Sequence, residues 1–399
     1  DTGSRNVAVG SYDLQLLNYD GIGYNTGVGY GAGQSISTGT SNTLIGGVSG
    51  DALTTGNNNV AIGYSSLGAE TAGDRSVAVG NFALQVQNNT TNADVYNTAV
   101  GYSAGSAITT GVNNTIIGGL AGDSLTTGNS NIAIGYNALS TEDTGGRNVA
   151  VGWSALTNLD AGTSAYNVAI GYNAGNDMTT ALQSVVIGSF AGDNITTGSY
   201  NIAVGYNALT AETGGNRNPA IGYFALSSQN RASGDANNVA VGHSAGQNIS
   251  TGTKNVIIGN VAGENLTTAV ENTVVGYESL SDASTCNYNT VLGTQAMKVG
   301  QNANRNTAIG FQALYSINQS SALDTYNTAM GYSAGANITT GVRNTLIGSL
   351  AGDALTTGHY NVAIGYTALG AEDGNGRNVA VGYAALSTQN AGSDAYNVA

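Results

Sequence analysis

Short apolar runs closed by a glycine recur along the whole chain, with apolar side chains at alternate positions and a polar residue ahead of each run. Asn59-Val60-Ala61-Ile62-Gly63 is one copy and Asn361-Val362-Ala363-Ile364-Gly365 another. A period of two predicts strand, because neighbouring side chains on a strand point to opposite sides. Aligned on the closing glycine, 22 copies run from Gly10 to Gly382, most of them 17 residues apart and the rest 19 to 21. Asn stands four residues before the glycine in 20 of the 22, with Ser76 and Ser184 as the substitutes. No helical periodicity separates the copies.

A short strand recurring at this spacing predicts an all-β, parallel β-roll or β-solenoid in which each copy is one coil and strands stack along an axis. At ~4.8 Å per coil the stack would be on the order of 105 Å long. The Asn column (Asn59, Asn131, Asn201, Asn361) predicts a ladder of side-chain amides bonded from coil to coil. The glycine column (Gly63, Gly135, Gly205, Gly365) predicts the coil corner, where a positive φ costs glycine nothing. A second period overlies the first. Four residues after the corner glycine the chain reads Gly, Gly, Leu, Leu in rotation (Gly105, Gly122, Leu139, Leu156), and where Gly stands an aliphatic follows three residues later (Ile108, Leu125). One large apolar side chain per coil predicts a narrow interior packed to constant density. Four coils make a unit of about 71 residues, at approximately 25–96, 97–166, 167–237, 238–326 (with five coils) and 327–396. Residues 1–399 thus read as one continuous solenoid segment, and its repeat is cut at both ends, as in a piece of a longer fibre protein.

Aliphatics one and three residues before the glycine share one side of the strand; Ala61, Ala133, Ala150 and Ala363, two before it, share the other with the glycine. A coil of 17 residues encloses a thin core. We therefore expect the Ala/Gly side to face outward and be covered by another copy of the chain, with Leu44, Ile116, Val186, Ile257 and Leu346 meeting as plugs on a symmetry axis.

Composition narrows the function. The chain holds 60 Gly and 1 Pro, charged residues are 9%, and the formal charge is −14 with no basic run. Nucleic acid and anionic membrane surfaces are disfavoured as partners. One Cys (Cys286) and two His (His243, His359) cannot build the usual zinc site, and Cys286 reads as a small filler. No apolar run approaches the ~20 residues of a membrane helix. No helix follows the Gly-x-Gly strings, so no phosphate loop is expected. Asp51, Asp123, Asp193, Glu264 and Asp353 recur once per unit, too far apart to share one metal ion. Arg75, Arg147, Arg217 and Arg377 each follow an acid by four or five residues (Glu70, Glu142 and Asp143, Glu212, Glu372 and Asp373), which suggests local ion pairs or bridges to a neighbouring chain. No cofactor, metal or catalytic residue is called for, and no enzyme activity is expected.

Asn-Val-Ala-Ile-Gly-Tyr at 59–64 and 361–366, with variants at 131–136 and 167–172, resembles the head repeat of trimeric autotransporter adhesins and the similar repeats of phage tail-fibre proteins. The resemblance covers the whole chain. It implies a left-handed parallel β-roll, a homotrimer, an extracellular place on a virion tail fibre or cell surface, and attachment to a host glycan or protein receptor. The receptor-contact candidates are aromatics on the longer turns of the fourth coils at 82–96, 153–166, 223–237 and 311–326: Phe82, Trp153, Phe224, Phe311 and Tyr315. The alternatives are a monomeric ligand-binding solenoid, with an ice-binding Thr surface as one form, and a self-assembling extracellular filament. A glycan-cleaving tailspike is a further class, disfavoured by the thin coil and scattered acids.

Overall fold

The computed structural model describes residues 4–390 and 394–399. The protein is an all-β, parallel β-solenoid of about 22 turns, with no helix among the described residues. It divides into two compact units, residues 1–200 and 201–399. In the first, eleven three-residue strands run from Val7–Val9 to Val185–Ile187, each parallel to the next and in register. The second carries eleven more, from Ile202–Val204 to Val379–Val381, together with two short parallel pairs that tie longer turns to the coil before them: Gly215–Asn216 with Gly234–Asp235, and Gln301–Asn304 with Asn318–Asp324. Pro219 is the first residue of its strand, where a missing N–H is least costly.

The corner glycines answer to both conformation and space. Gly63 has φ 134°, and a Cβ added to it would lie 2.5 Å from the carbonyl oxygen of Gly80 on the next coil. Gly135, Gly205 and Gly365 have φ between 132° and 134° and the same neighbour, the corner carbonyl one coil on. The Asn column bonds between coils in two ways. The Asn59 N–H donates to Asn42 Oδ1 (3.0 Å), and its Nδ2 donates to Gly73 O (2.9 Å). Asn131 and Asn361 repeat both bonds, and Asn201 Nδ2 donates to Gly215 O while its Oδ1 accepts the Asn218 N–H. These side chains are fully buried, where each unmade bond would cost about 1–3 kcal/mol.

The inward side of the strand is the reverse of the sequence expectation. Ala61, Ala78, Ala133, Ala150 and Ala363 are completely buried, and so are Leu44, Ile116, Val186, Ile257 and Leu346. The Ala column lines the interior of the coil, and the supposed plugs are its core filling. A Cβ on Gly105 would meet Ile108 at 3.0 Å, Leu84 at 3.1 Å and Ile116 at 3.2 Å. Glycine four residues after the corner therefore makes room for the bulky residue of the second coil, and where that position is Leu the strand carries Ala, except at Leu280, whose strand carries Val274. The aliphatics at the other two strand positions point outward.

Candidate functional site

The outward side forms an apolar ribbon in each unit. Ile45 and Ile117 are 38% exposed, and Val100, Ile132 and Ile170 are close to that value in the first unit. Ile202, Ile221, Ile258, Leu292, Met330, Ile364 and Val381 continue the pattern in the second. Eleven strands at ~4.8 Å spacing and ~10 Å of strand width give on the order of 500 Å² per unit before any flanking aromatic is added. Monomeric soluble proteins seldom expose a contiguous apolar patch much larger than this.

Aromatic side chains border the ribbon at the corner. Of the five receptor candidates, four stand one or two residues past a corner glycine, at the start of the long turn and not at its tip. Phe82 is half-buried, edge-on between Tyr64 (5.6 Å) and Tyr102 (5.9 Å). Trp153, 53% exposed, lies tilted on Tyr136 at 4.6 Å. Phe224 meets Tyr206 and Tyr223 edge-on, and Phe311 stacks on Tyr332 at 5.3 Å. Tyr315 is half-buried and takes part in none of the described ring pairs. His243 continues a stack through Tyr223 to Tyr206, with neighbouring ring centroids 5.1 and 5.3 Å apart. The ring after the glycine repeats from coil to coil, so rings within a unit stand at about the strand spacing and contact each other.

On the other border, five residues before each corner glycine, the backbone is left-handed and the side chain is often Arg or Tyr. Arg75 has φ 61° and Tyr96 φ 53°. In the first unit these residues meet as isolated pairs, Arg5 over Tyr24, Arg75 over Tyr96 and Arg147 over Tyr166. In the second they form a run: Arg305 lies over Tyr288 and Tyr326, Arg343 over Tyr326 and Tyr360, and Arg377 over Tyr360 and Tyr396. The local ion pairs expected with Glu70, Glu212 and Glu372 are not what forms. Arg75, Arg217 and Arg377 pair instead with Asp94, Asp235 and Asp394, on the following coil. Arg147 makes no ion pair among the described residues.

The glutamates left over from that pairing are buried, each in the third coil of its unit. Glu70 Oε1 accepts the N–H groups of Thr71, Ala72 and Gly73 on its own turn and of Asn89 on the next coil, at 2.8 to 3.2 Å. Its Oε2 accepts Gln87 Nε2 (2.9 Å), and Gln87 Oε1 in turn accepts Asn97 Nδ2 (2.8 Å). Gln229 with Asn238 repeats the relay on Glu212, and Gln389 with Asn397 repeats it on Glu372. Glycine three residues after Glu70 is a spatial need, since a Cβ on Gly73 would lie 2.9 Å from the carboxyl carbon. The spacing Glu-x16-Gln, one coil apart, was the available sequence signal for this network. Glu142 has Leu159 where the others have Gln, and burial first, then Asp160 and Asp143, push its pKa above the ordinary value. Ligand oxygens of Glu142, Asp143 and Asp160 lie within 4.8 Å of one another. Glu142 already accepts the N–H groups of Gly145 and Ala161, one on each oxygen, so its lone pairs are turned to backbone rather than to a shared ion.

The remaining candidates occupy separate places. In the acidic column, burial raises Asp51, Asp123 and Asp353, and burial with Asp177 nearby pushes Asp193 up to about 6. Cys286 is fully buried, its thiol pushed up to about 12, which makes it a packing residue and not a nucleophile. Among the described residues no helix is long and apolar enough to cross a membrane. Repeat and ladders together define a β-solenoid repeat protein with one apolar, aromatic-bordered outer ribbon in each unit. No protein-family model and no curated protein matches the chain.

Proposed function

We propose that the chain is a non-enzymatic structural segment of an extracellular fibre, assembled as a homotrimer and serving attachment of a virion tail or a cell surface to a host. The observation that carries this reading is the outward ribbon of Val, Ile, Leu and Met side chains, which water would leave poorly solvated and a second copy would cover. Parallel strands in register repeat the same side chains at a fixed interval, so copies side by side can mate over every coil at once. Three is the number that the Asn-Val-Ala-Ile-Gly-Tyr resemblance implies. The exposed rings at the corners support contact with a glycan or protein receptor, because aromatic faces stack on sugar rings and fill protein pockets.

Native mass measurement at micromolar concentration tests the assembly. The expected species has three times the 39.8 kDa of one chain, and Ile117→Glu combined with Ile45→Glu shifts it toward the monomer. A wild-type protein that stays at 39.8 kDa overturns the reading. It would favour the second one, a single-chain ligand-binding solenoid that uses the stacked rings Tyr206, Tyr223 and His243, which are complete within one chain.

A further inference from the structure

The geometry around Arg147 points to a binding seat for one carboxylate, presented by an acidic sugar residue such as a hexuronic acid. Arg147 shares its place, five residues before a corner glycine, with four arginines that have an aspartate on the next coil and with Arg5 and Arg343, which have Ile22 and Gly358 there. Arg75, Arg217, Arg305 and Arg377 each pair with an aspartate of the following coil: Asp94, Asp235, Asp324 and Asp394. That aspartate gathers further donors. Tyr96 OH donates to Asp94 Oδ2 (3.0 Å), Tyr326 OH to Asp324 Oδ2 (3.2 Å), and the Gly376 N–H to Asp394 Oδ1 (3.0 Å).

At Arg147 the donors stand and the carboxylate is missing. Ser164 occupies the aspartate position. Arg147 Nη1 reaches Ser164 Oγ at 3.2 Å and Tyr166 OH at 2.9 Å, leaving the rest of the guanidinium free among the described contacts. Gly146, the counterpart of Gly376, is buried, and its N–H makes none of the described hydrogen bonds. A buried backbone N–H without an acceptor is uncommon and costly. A pocket opens at this place, lined by Asn129, Ser130, Thr144, Gly146, Arg147 and Ser164. A carboxylate entering it would meet the guanidinium of Arg147 and the Gly146 N–H, with the Tyr166 hydroxyl proton beside them; the guanidinium serves all four sister aspartates, the tyrosine hydroxyl serves Asp94 and Asp324, and the glycine N–H serves Asp394.

The surroundings select the ligand. The pocket walls offer hydroxyls and an amide and no apolar side chain, which suits a hydroxylated ring better than a hydrophobic peptide side chain. Asp143 precedes the wall residue Thr144, with Asp160 close beside it, and negative charge there opposes a polyphosphate or a sulfate cluster more than a single carboxylate on a neutral frame. The seat lies within one chain, so it does not depend on the fibre reading; a trimer without sugar binding and sugar binding by a monomer are separate results.

Titration of the full chain at pH 7 with glucuronate, methyl glucuronate ester and glucose, followed by isothermal calorimetry or ligand-observed NMR, tests the seat. We expect saturable binding of glucuronate at one site per chain, at least tenfold tighter than either neutral sugar. Ser164→Asp installs the sister carboxylate and should weaken glucuronate at least tenfold with unchanged melting, whereas Ser164→Ala should retain it. Equal binding of glucuronate and glucose, no saturation by glucuronate, or undiminished binding by a folded S164D protein would overturn the proposal.

Discussion

Glu70 and Glu142 occupy the same slot in consecutive four-coil units, and their surroundings differ chiefly on the coil above, with Gln87 and Asn88 over one and Leu159 and Asp160 over the other. Glu70 lies under Gln87, whose amide donates to the carboxyl group and accepts from Asn97, so a buried carboxyl group is joined to a relay of amides. Glu142 lies under Leu159 and keeps only its backbone donors, Gly145 and Ala161. Both glutamates are completely buried. Closing the turn is the work of the backbone amides, while the side-chain relay gives the second carboxyl oxygen its partners in a place that water does not reach.

The sharpest way to break the comparison is to remove the acids. Glu70→Ala strips an acceptor from four backbone N–H groups and from Gln87, and we expect a local loss of roughly 3–5 kcal/mol, read as lost hydrogen-exchange protection at Gly73 and Asn89. Glu142→Ala, with two N–H groups released, should cost about 1–3 kcal/mol at Gly145 and Ala161. Equal losses would dissolve the distinction. A milder pair exchanges the partners. Gln87→Leu should cost about 1–2 kcal/mol, by leaving Glu70 and Asn97 each a bond short, while Leu159→Gln should add about 0.5–1 kcal/mol around Glu142. The smallest effect is with pH. The folded-state pKa of Glu142 is raised, so its favourable contribution is complete below the carboxyl's ordinary value and is lost as pH rises through the raised one. Protection at Gly145, corrected for intrinsic exchange, should fall from acid to neutral pH, and Leu159→Gln or Asp160→Asn should flatten the fall. A flat wild-type profile would show that the carboxylate is solvated after all.

The 17-residue spacing made the coil, the strand and the neighbour of each strand readable from the chain. Which side of the strand faces inward was not, because Ala on one side and Val or Ile on the other are both apolar. The deciding signal was a coupling: Leu44 and Ile116 appear only where the position four residues past the corner is glycine, as at Gly33, Gly50, Gly105 and Gly122. Two residues that trade volume share one interior, so the strand position carrying Leu44 and Ile116 had to be the buried one. The aromatic candidates sit at the first residues of the long turns, beside the corner glycine, where ring contacts from coil to coil hold them and the turn itself leads away. Buried glutamates escaped notice because an acid close to an Arg in sequence resembles a surface ion pair. The true partner of that Arg lies 17 to 19 residues on, a separation that only the coil geometry brings together.

In both units the bonds that hold a coil reach to the coil before and the coil after, and seldom further. A stretch of gene coding for one coil can then be gained or lost by recombination between near-identical copies, provided that the new neighbours match in volume and turn length. The unit at 238–326 shows that the stack accommodates such a change: its additional Leu-type coil, with Leu280 and Met297 in succession ahead of Leu314, is paired in register on both sides. Copy number in such a chain can change under selection without the invention of a new contact, which makes its length the most readily inherited variable it has.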